Sequence, residues 1–387
     1  MSVPRKDAWQ EKPALTHIRM KRNLLITGGT GSIGDQFVRG ALLNEAFDEV
    51  WILTHSKPPA LATPGLRFIE ADLRRSDLGL TPHTIADIKA TVSTFIHAGA
   101  NTNITHSLST LRLTNLSGTA HLIYLARHCS LLEQFILVSA TQTAGNHQGP
   151  MPERQFQKAP SFDNAMMQTL WEREIMCLEE GLPLDILRIA PVLGSMRETP
   201  DGTLNPWHLW LGWMFKGLLP LLPAVPETRF DFVPKESVGL TVAHILKQGF
   251  RGHDAYHLSQ GDQAPPITSV LKSVLKTFRR ISGEWRDNHR SIPATVDRET
   301  FCQFQQNVMD GGHPIYSRVA DQALYFLPSL LYPKIFDTQN LRTLYAAEGQ
   351  EFRVDWEQCL TRTIERLAVQ YWKNRSAITT EIAMFLR

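Results

Sequence analysis

Asn23-Leu24-Leu25-Ile26-Thr27-Gly28-Gly29-Thr30-Gly31-Ser32-Ile33-Gly34 runs from an apolar stretch into a glycine-rich turn, and Phe37 to Leu43 follows with helical spacing. Glycines at 28, 31 and 34 let the chain turn tightly, let the backbone approach a pyrophosphate, and let helix pack on strand. The helix N-terminus then offers free N–H groups to phosphate oxygens. The reading is a nucleotide loop set between a strand and a helix. Thr27, Gly28, Thr30, Gly31, Ser32, Ile33 and Gly34 are its candidate cofactor contacts.

Outward from this loop the same rhythm repeats. Apolar runs at Val50 to Leu53, Phe68-Ile69, Thr94 to His97, Phe135 to Val138 and Ile186 to Ile189 alternate with helical stretches such as Leu116 to Arg127 and Met166 to Glu180. Continuous apolar strands imply a sheet covered on both faces, and strand–helix alternation implies parallel order. The expected fold is an α/β doubly wound parallel sheet. After about Gln260 the rhythm stops. Helical spacing and basic residues take over, with an apolar patch from Ala323 to Phe336 and an amphipathic segment from Trp356 to Trp372.

The division expected is a flexible tail over 1–22, a sheet domain over 23–260 with substrate-binding elements mainly in 146–260, and a mostly helical subdomain over 261–387. With 43% hydrophobic and 20% charged residues, the 387-residue chain has material for a large core. Its 40 Lys+Arg against 38 Asp+Glu argue against a dedicated nucleic-acid binder. Four scattered cysteines with no CxxC pair indicate neither a disulfide framework nor a zinc cluster, so a reducing, cytoplasmic setting and no metal are expected. The strongest membrane candidate, Trp207 to Pro223, is short, carries His208 and Lys216, and is broken by prolines. A spanning helix is not expected, although peripheral membrane contact is compatible with the sequence.

The second apolar run ends in Thr54-His55-Ser56-Lys57, with no acid to bond a ribose 2′-hydroxyl. This favours NADP(H), with His55, Ser56 and Lys57 as contacts. Asp72, just after the third strand, is placed to meet the adenine edge or to serve as a helix N-cap.

Five motifs then come in family order: Thr27 to Gly34, Ala71-Asp72-Leu73, Ile96-His97-Ala98-Gly99-Ala100, Thr114-Asn115-Leu116-Ser117-Gly118-Thr119 and Val138-Ser139-Ala140-Thr141. Together they resemble the extended short-chain dehydrogenases/reductases. Asp77-Leu78-Gly79-Leu80, Asp231-Phe232-Val233-Pro234, Phe336 to Arg342 and Val354-Asp355-Trp356 are similar to fatty acyl reductases and thioester reductase domains. The resemblance implies a Rossmann sheet, NADP(H), and an acyl thioester substrate carried on coenzyme A or an acyl carrier protein. It also adds Leu73, Ala98, Gly99 and Ala100 to the cofactor contacts.

Such reductases polarise the carbonyl with a Ser or Thr, a Tyr, and a Lys four residues after the Tyr. Here the Ser/Thr position, counted back from Gly145, is Ala140, flanked by Ser139 and Thr141. Trp171 and Glu174 fix the register of the next segment, which puts Met166 at the Tyr position and Leu170 at the Lys position. No tyrosine occurs between Tyr124 and Tyr256. Tyr124 lies among Leu122, Ile123 and Leu125, which suits helix packing.

Three functions remain open from sequence. One is a reductase in which Ser139, Thr141 or His147 polarises the carbonyl and Asn115 keeps its family role in the hydrogen-bond network. Another is an NADPH-binding sensor or acyl-partner scaffold without turnover. The third is a non-redox enzyme reusing the acyl pocket. Trp207, Leu209, Trp210, Leu211, Trp213, Met214 and Phe215 read equally as an acyl pocket or lid and as a helix packed on the core. The basic stretch Lys272 to Arg290 reads as a docking surface for coenzyme A or a carrier, or as a solvated helix face.

Overall fold

The computed structural model describes residues 21–55, 64–154, 159–196, 205–252, 255–287, 291–312 and 330–372, together with 314, 317 and 319. Residues 1–20 of the expected tail over 1–22, the contacts Ser56 and Lys57, and residues 323–329 of the apolar patch lie outside the described residues.

The chain enters through β1 (Asn23–Thr27), α1 (Gly34–Leu42), β2 (Glu49–Thr54), β3 (Leu66–Glu70), α2 (Pro82–Thr91) and β4 (Val92–His97). A helical run follows, made of α3 (Leu108–Arg112), a π-helical turn over Leu113–Ser117, and α4 (Gly118–Arg127). Next come β5 (Gln134–Ala140), β6 (Gly149–Met151), α5 (Ala165–Glu179), β7 (Leu184–Ile189), β8 (Val192–Gly194), α6 (Pro206–Lys216), β9 (Leu221–Pro223), β10 (Val233–Pro234), α7 (Lys235–Gln248), β11 (Tyr256–Leu258) and α8 (Ile267–Ile281). Seven strands form one sheet in the order β11-β7-β5-β4-β1-β2-β3, and each neighbouring pair is parallel. The doubly wound parallel sheet read from the strand rhythm is therefore the observed fold.

Alternation along the strands divides the core in two. Leu24 and Ile26 of β1, Ile52 of β2 and Ile136 of β5 point to one face, where Phe37 of α1 and Val238, Val242 and Ile245 of α7 cover them. Leu25, Trp51, Leu53 and Phe135 point to the other, under Ile88 of α2, Leu122 of α4 and Cys177 of α5. A one-residue slip in any strand would exchange these faces and expose both sets, so the pattern fixes the register.

A second core lies beyond the sheet. The helix α6 is started by the Asn205 side chain, which accepts from His208 N, and by Pro206 in its first turn, and it stops at the left-handed Gly217. Trp207, Trp210, Leu211 and Met214 are buried with Phe230 and Phe232, with Val270, Val274 and Phe278 of α8, and with Leu360, Ile364 and Leu367 of the helix Trp356–Leu367. Most of the aromatic segment thus packs into this core, with Trp213 and Phe215 only partly buried against it. The chain after residue 260 also returns to the sheet domain. Lys334–Phe336 pairs in parallel with β6, and Leu341, Leu344 and Tyr345 of the helix Gln339–Ala346 pack into the first face of the sheet core.

Candidate active site at the strand ends

Ligands of open α/β sheets bind beyond the carboxyl ends of the strands, where loops rather than ladders satisfy the backbone. Here the loop after β1 is tight. Gly28 has φ +77°, and a Cβ on it would lie 2.7 Å from the carbonyl carbon of Ala98 and from Gly99 N. A Cβ on Gly34 would sit 2.4 Å from the Gly28 carbonyl oxygen. Gly31 N donates to Gly28 O at 3.0 Å and Gly34 N to Gly31 O at 2.9 Å, which curls the turn into α1 and leaves Thr30, Gly31 and Ser32 exposed at its tip. A cradle that a methyl group would fill suits the close backbone approach of a pyrophosphate. Asp35 in the first turn of α1 is held by Lys235 at 2.9 Å and Arg39 at 3.7 Å, which offsets its charge near this loop.

Beneath the loop a buried relay ties β1 to β4 and α4. Gly99 N donates to Thr27 Oγ1 (3.0 Å), which faces His97 Nδ1 (2.7 Å); His97 Nε2 faces Thr119 Oγ1 (2.8 Å), which donates to Asn115 O (2.6 Å). With its own proton committed to Asn115 O, Thr119 can only accept from His97. The imidazole therefore carries its proton on Nε2 and takes one from Thr27 on Nδ1. Burial, reinforced by the nearby Arg173 charge, holds its pKa well below the usual histidine range, so it stays neutral.

At the ends of β2 and β3, Thr54 of β2 is in register with Glu70 of β3, and Ala71 N donates to Thr54 O at 2.9 Å. His55 is thereby level with Ala71 and next to Asp72. Asp72 is an Asx turn rather than a helix cap: Oδ1 accepts Arg74 N at 3.0 Å. The Arg74 side chain bonds the same carboxylate and holds its pKa down at about 2. Leu73 packs on Gly99 and Gly118, where added Cβ atoms would lie 3.0 and 2.9 Å from it. Arg74 was missed in the sequence reading; two consecutive arginines directly after the Asp72 motif were the available signal.

The donor side differs. Met166 and Leu170 are buried together with Leu111 and Met167, and Ala100, Ile104, Ala140 and Phe162 pack against them. The positions where the family resemblance calls for Tyr and Lys therefore face the ends of β4 and β5, and they face them with apolar atoms. Asn115 sits in the π-helical turn, a distortion often found at functional sites. Its Oδ1 accepts Asn101 N (2.7 Å), while Nδ2 donates to Asn101 O (3.0 Å) and Thr169 Oγ1 (2.9 Å), so it locks the loop after β4 to α5.

Ser139 donates to Glu174 Oε1 at 2.5 Å, and Thr143 donates to the same oxygen at 3.2 Å. Glu174 is fully buried against Arg188, whose Nη2 reaches Oε2 at 2.7 Å. Arg188 Nη1 lies 3.1 Å from His257 Nε2, and His257 Nδ1 lies 2.8 Å from Asp337 O, so His257 must accept from the arginine and donate to the carbonyl. Burial and the Arg188 charge push its pKa down to about 3. Arg173, one turn beyond Leu170, donates to Gly99 O (3.2 Å) and Val138 O (2.5 Å), and its Nε has no partner among the described residues. This charged network was also missed. A lone arginine inside the apolar run Leu187-Arg188-Ile189 was its sequence signal.

Thr141 remains. It is buried at the start of the 3-10 turn that follows β5, and its hydroxyl makes no hydrogen bond to the described residues. Beyond that turn a cleft of about 500 Å³ is lined by Asn146, His147, Gln148, Ala159 and Ser161. Tyr124 is exposed on α4, with its ring tilted against that of His128. His208 completes the α6 cap, with Nε2 at 2.5 Å from Leu193 O. In the basic stretch, Lys276 and Arg280 pair with Glu357 (3.6 Å) and Glu365 (2.7 Å) of the helix Trp356–Leu367, so part of its charge is spent holding two helices together. Cys129, Cys177 and Cys359 are buried, and burial pushes each thiol up to about 12, which leaves them unsuited to nucleophilic work. Among the described residues no helix is long and apolar enough to cross a membrane, and no cluster of metal-ligating side chains is present.

Residues 60–241 match the family described as male sterility protein. The chain is 23% identical over 287 residues to glycine betaine reductase ATRR of Emericella nidulans, covering 66% of this chain and 22% of that protein. It is 25% identical to a polyketide synthase-nonribosomal peptide synthetase of Aspergillus clavatus, covering 70% of this chain and 7% of the relative. The chain thus spans under a quarter of the length of these curated relatives. Among solved structures, the terminal R domain from the myxalamid PKS-NRPS pathway superposes with TM-score 0.70 at 16% identity, over 91% of this chain and 92% of that one. UDP-glucuronic acid 4-epimerase from Bacillus cereus, solved with NAD, gives TM-score 0.61 at 16% identity over 89% and 98%. With the parallel sheet and its glycine loop, these matches make the chain similar to the extended short-chain dehydrogenases/reductases in fold and, over residues 60–241, to the male sterility family.

Proposed function

We propose that the chain binds NADP(H) and reduces a carrier- or coenzyme A-bound acyl thioester to the aldehyde, using a donor set built around Thr141. The observation that carries this reading is the juxtaposition of a glycine loop too tight for side chains with a buried, uncommitted Thr141 hydroxyl at the end of β5. The reductase names among the relatives, and the carrier-based synthetases to which several belong, support the substrate class.

The nicotinamide cofactor, when bound, supplies hydride to the acyl carbon. Overall, acyl thioester, NADPH and a proton give aldehyde, thiol and NADP⁺. Charge develops on the carbonyl oxygen, and Thr141 Oγ–H is the donor assigned to it in this reading. Collapse of the tetrahedral adduct expels thiolate, a good leaving group, so the reaction needs less acid assistance than reduction of a ketone. Ser139 does not serve, because its proton is held by Glu174. Loss of a donor in such a site costs about 2.7–4 kcal/mol, so a chain without the Tyr is expected to be slow.

A second reading is favoured by one feature. The apolar packing of Met166 and Leu170 on Ala100 and Ala140 suits a protein that holds NADPH without turning it over. Cofactor fluorescence measures binding, and loss of NADPH absorbance with a panel of acyl thioesters measures turnover. Binding with thioester-dependent oxidation supports the reductase; binding without oxidation across the panel supports the sensor; absence of binding contradicts both.

A further inference from the structure

We propose that Arg74, clamped by Asp72 beside His55, reads the 2′-phosphate of the cofactor, so that the loop after β3 contributes to the preference for NADP(H). The inference rests on the nicotinamide-cofactor reading above and names the residue that would decide between its two forms.

The carboxyl ends of β1, β2 and β3 lie side by side, with Thr27 in register with Leu53 and Thr54 with Glu70. Adjacent strands are about 4.8 Å apart, so a dinucleotide whose pyrophosphate rests on the glycine loop brings its adenosine ribose over β2 and toward β3. The described residue just beyond the end of β2 is His55, which is exposed. A guanidinium on the neighbouring loop after β3 belongs to Arg74. Its Nε donates to Asp72 Oδ1 at 2.9 Å and its Nη2 to Oδ2 at 2.7 Å, a bidentate clamp on a half-exposed side chain.

A guanidinium has five N–H donors in one plane. Asp72 engages two, and the remaining three point away from the carboxylate. An arginine already immobilised loses little further entropy on binding a phosphate, and its fork geometry matches phosphate oxygens. Arg75 offers a control within the same turn. It is clamped by Asp77, at 3.1 and 3.2 Å, on the limb of the turn that leads away from the strand ends toward α2.

The test is the affinity of wild type, Arg74→Gln, Arg74→Lys and Arg75→Gln for NADPH, NADH, 2′,5′-ADP and 5′-ADP, followed by fluorescence quenching or calorimetry. The expected result is that Arg74→Gln weakens NADPH and 2′,5′-ADP by roughly ten- to a hundredfold and leaves NADH and 5′-ADP unchanged. Arg74→Lys should recover part of the loss, and Arg75→Gln should behave as wild type. A wild type that prefers NADPH while Arg74→Gln keeps that preference overturns the assignment of Arg74 alone. Equal wild-type affinity for NADPH and NADH overturns the NADP(H) preference, and binding of neither dinucleotide overturns the cofactor reading itself.

Discussion

The loop after β1 and the α5 face across from it are built to opposite rules. Around Gly28 and Gly34 the backbone leaves no room for a single added carbon, and every buried polar atom of the Thr27–His97–Thr119 relay is partnered. On α5 the family's polar pair is replaced by Met166 and Leu170, which fill the space with hydrocarbon packed on Ala100 and Ala140. The two rules meet in one fold: one half is a matter of backbone shape, the other of two side chains.

The comparison can be broken most sharply at the loop. Gly28→Val places a branched side chain at φ +77° and into the Ala98–Gly99 backbone, and it should lower nicotinamide cofactor affinity by roughly a hundredfold or more, read by fluorescence titration. An unchanged affinity would mean that the glycine turn is only structural. Next in size is the charge network under α5. Glu174→Ala leaves Arg188 buried without its carboxylate and should cost about 3–5 kcal/mol in urea unfolding. A loss under 1 kcal/mol, roughly that of an exposed pair, would show that the pair is not buried in solution.

Thr141→Val removes the uncommitted hydroxyl while keeping volume. It should slow thioester-dependent NADPH oxidation by about a hundred- to a thousandfold with cofactor affinity unchanged. Ser139→Ala should do the reverse: stability falls by about 1–3 kcal/mol because Glu174 loses a donor, while the rate hardly moves. Equal kinetic effects from the two variants would contradict the division of labour drawn here.

The smallest effect expected is in pH dependence. Burial pushes the Glu153 carboxyl up to about 7, against the backbone N–H groups of His257, Asn340 and Leu341, which favour the charged form and limit the shift. Between about 4.5 and about 7 the folded state keeps a proton that the unfolded state has released. Stability should therefore fall as pH rises through that window. The unfolding midpoint should drop modestly from about pH 5 to about pH 8 in the wild type, and the drop should shrink in Glu153→Gln. A midpoint that rises over the same interval in wild type relative to the variant would reverse the sign argued here.

What was legible in the sequence was local. The central strands announced themselves because they are buried on both faces, unlike the half-buried edge strand β3, and the glycine loop because its geometry depends on residues six apart. The role of α6 was not legible, since its partners in α8 and the helix Trp356–Leu367 lie many tens of residues away and any apolar helix would read the same. Lys276 and Arg280 looked like a docking face for the same reason: their partners, Glu357 and Glu365, are 81 and 85 positions on. Arg188 is a charge inside an apolar strand, but only the fold brings Glu174 of α5 to it. Ser139 and Thr141 were indistinguishable as donors until Glu174 was seen to occupy one of them.

The most direct test is a single pair of traces on the purified protein: NADPH fluorescence on titration, then NADPH absorbance after addition of a long-chain acyl thioester. Saturable NADPH binding followed by slow thioester-dependent oxidation, removed by Thr141→Val, is the predicted result. No binding, or oxidation that survives Thr141→Val unchanged, would contradict the account.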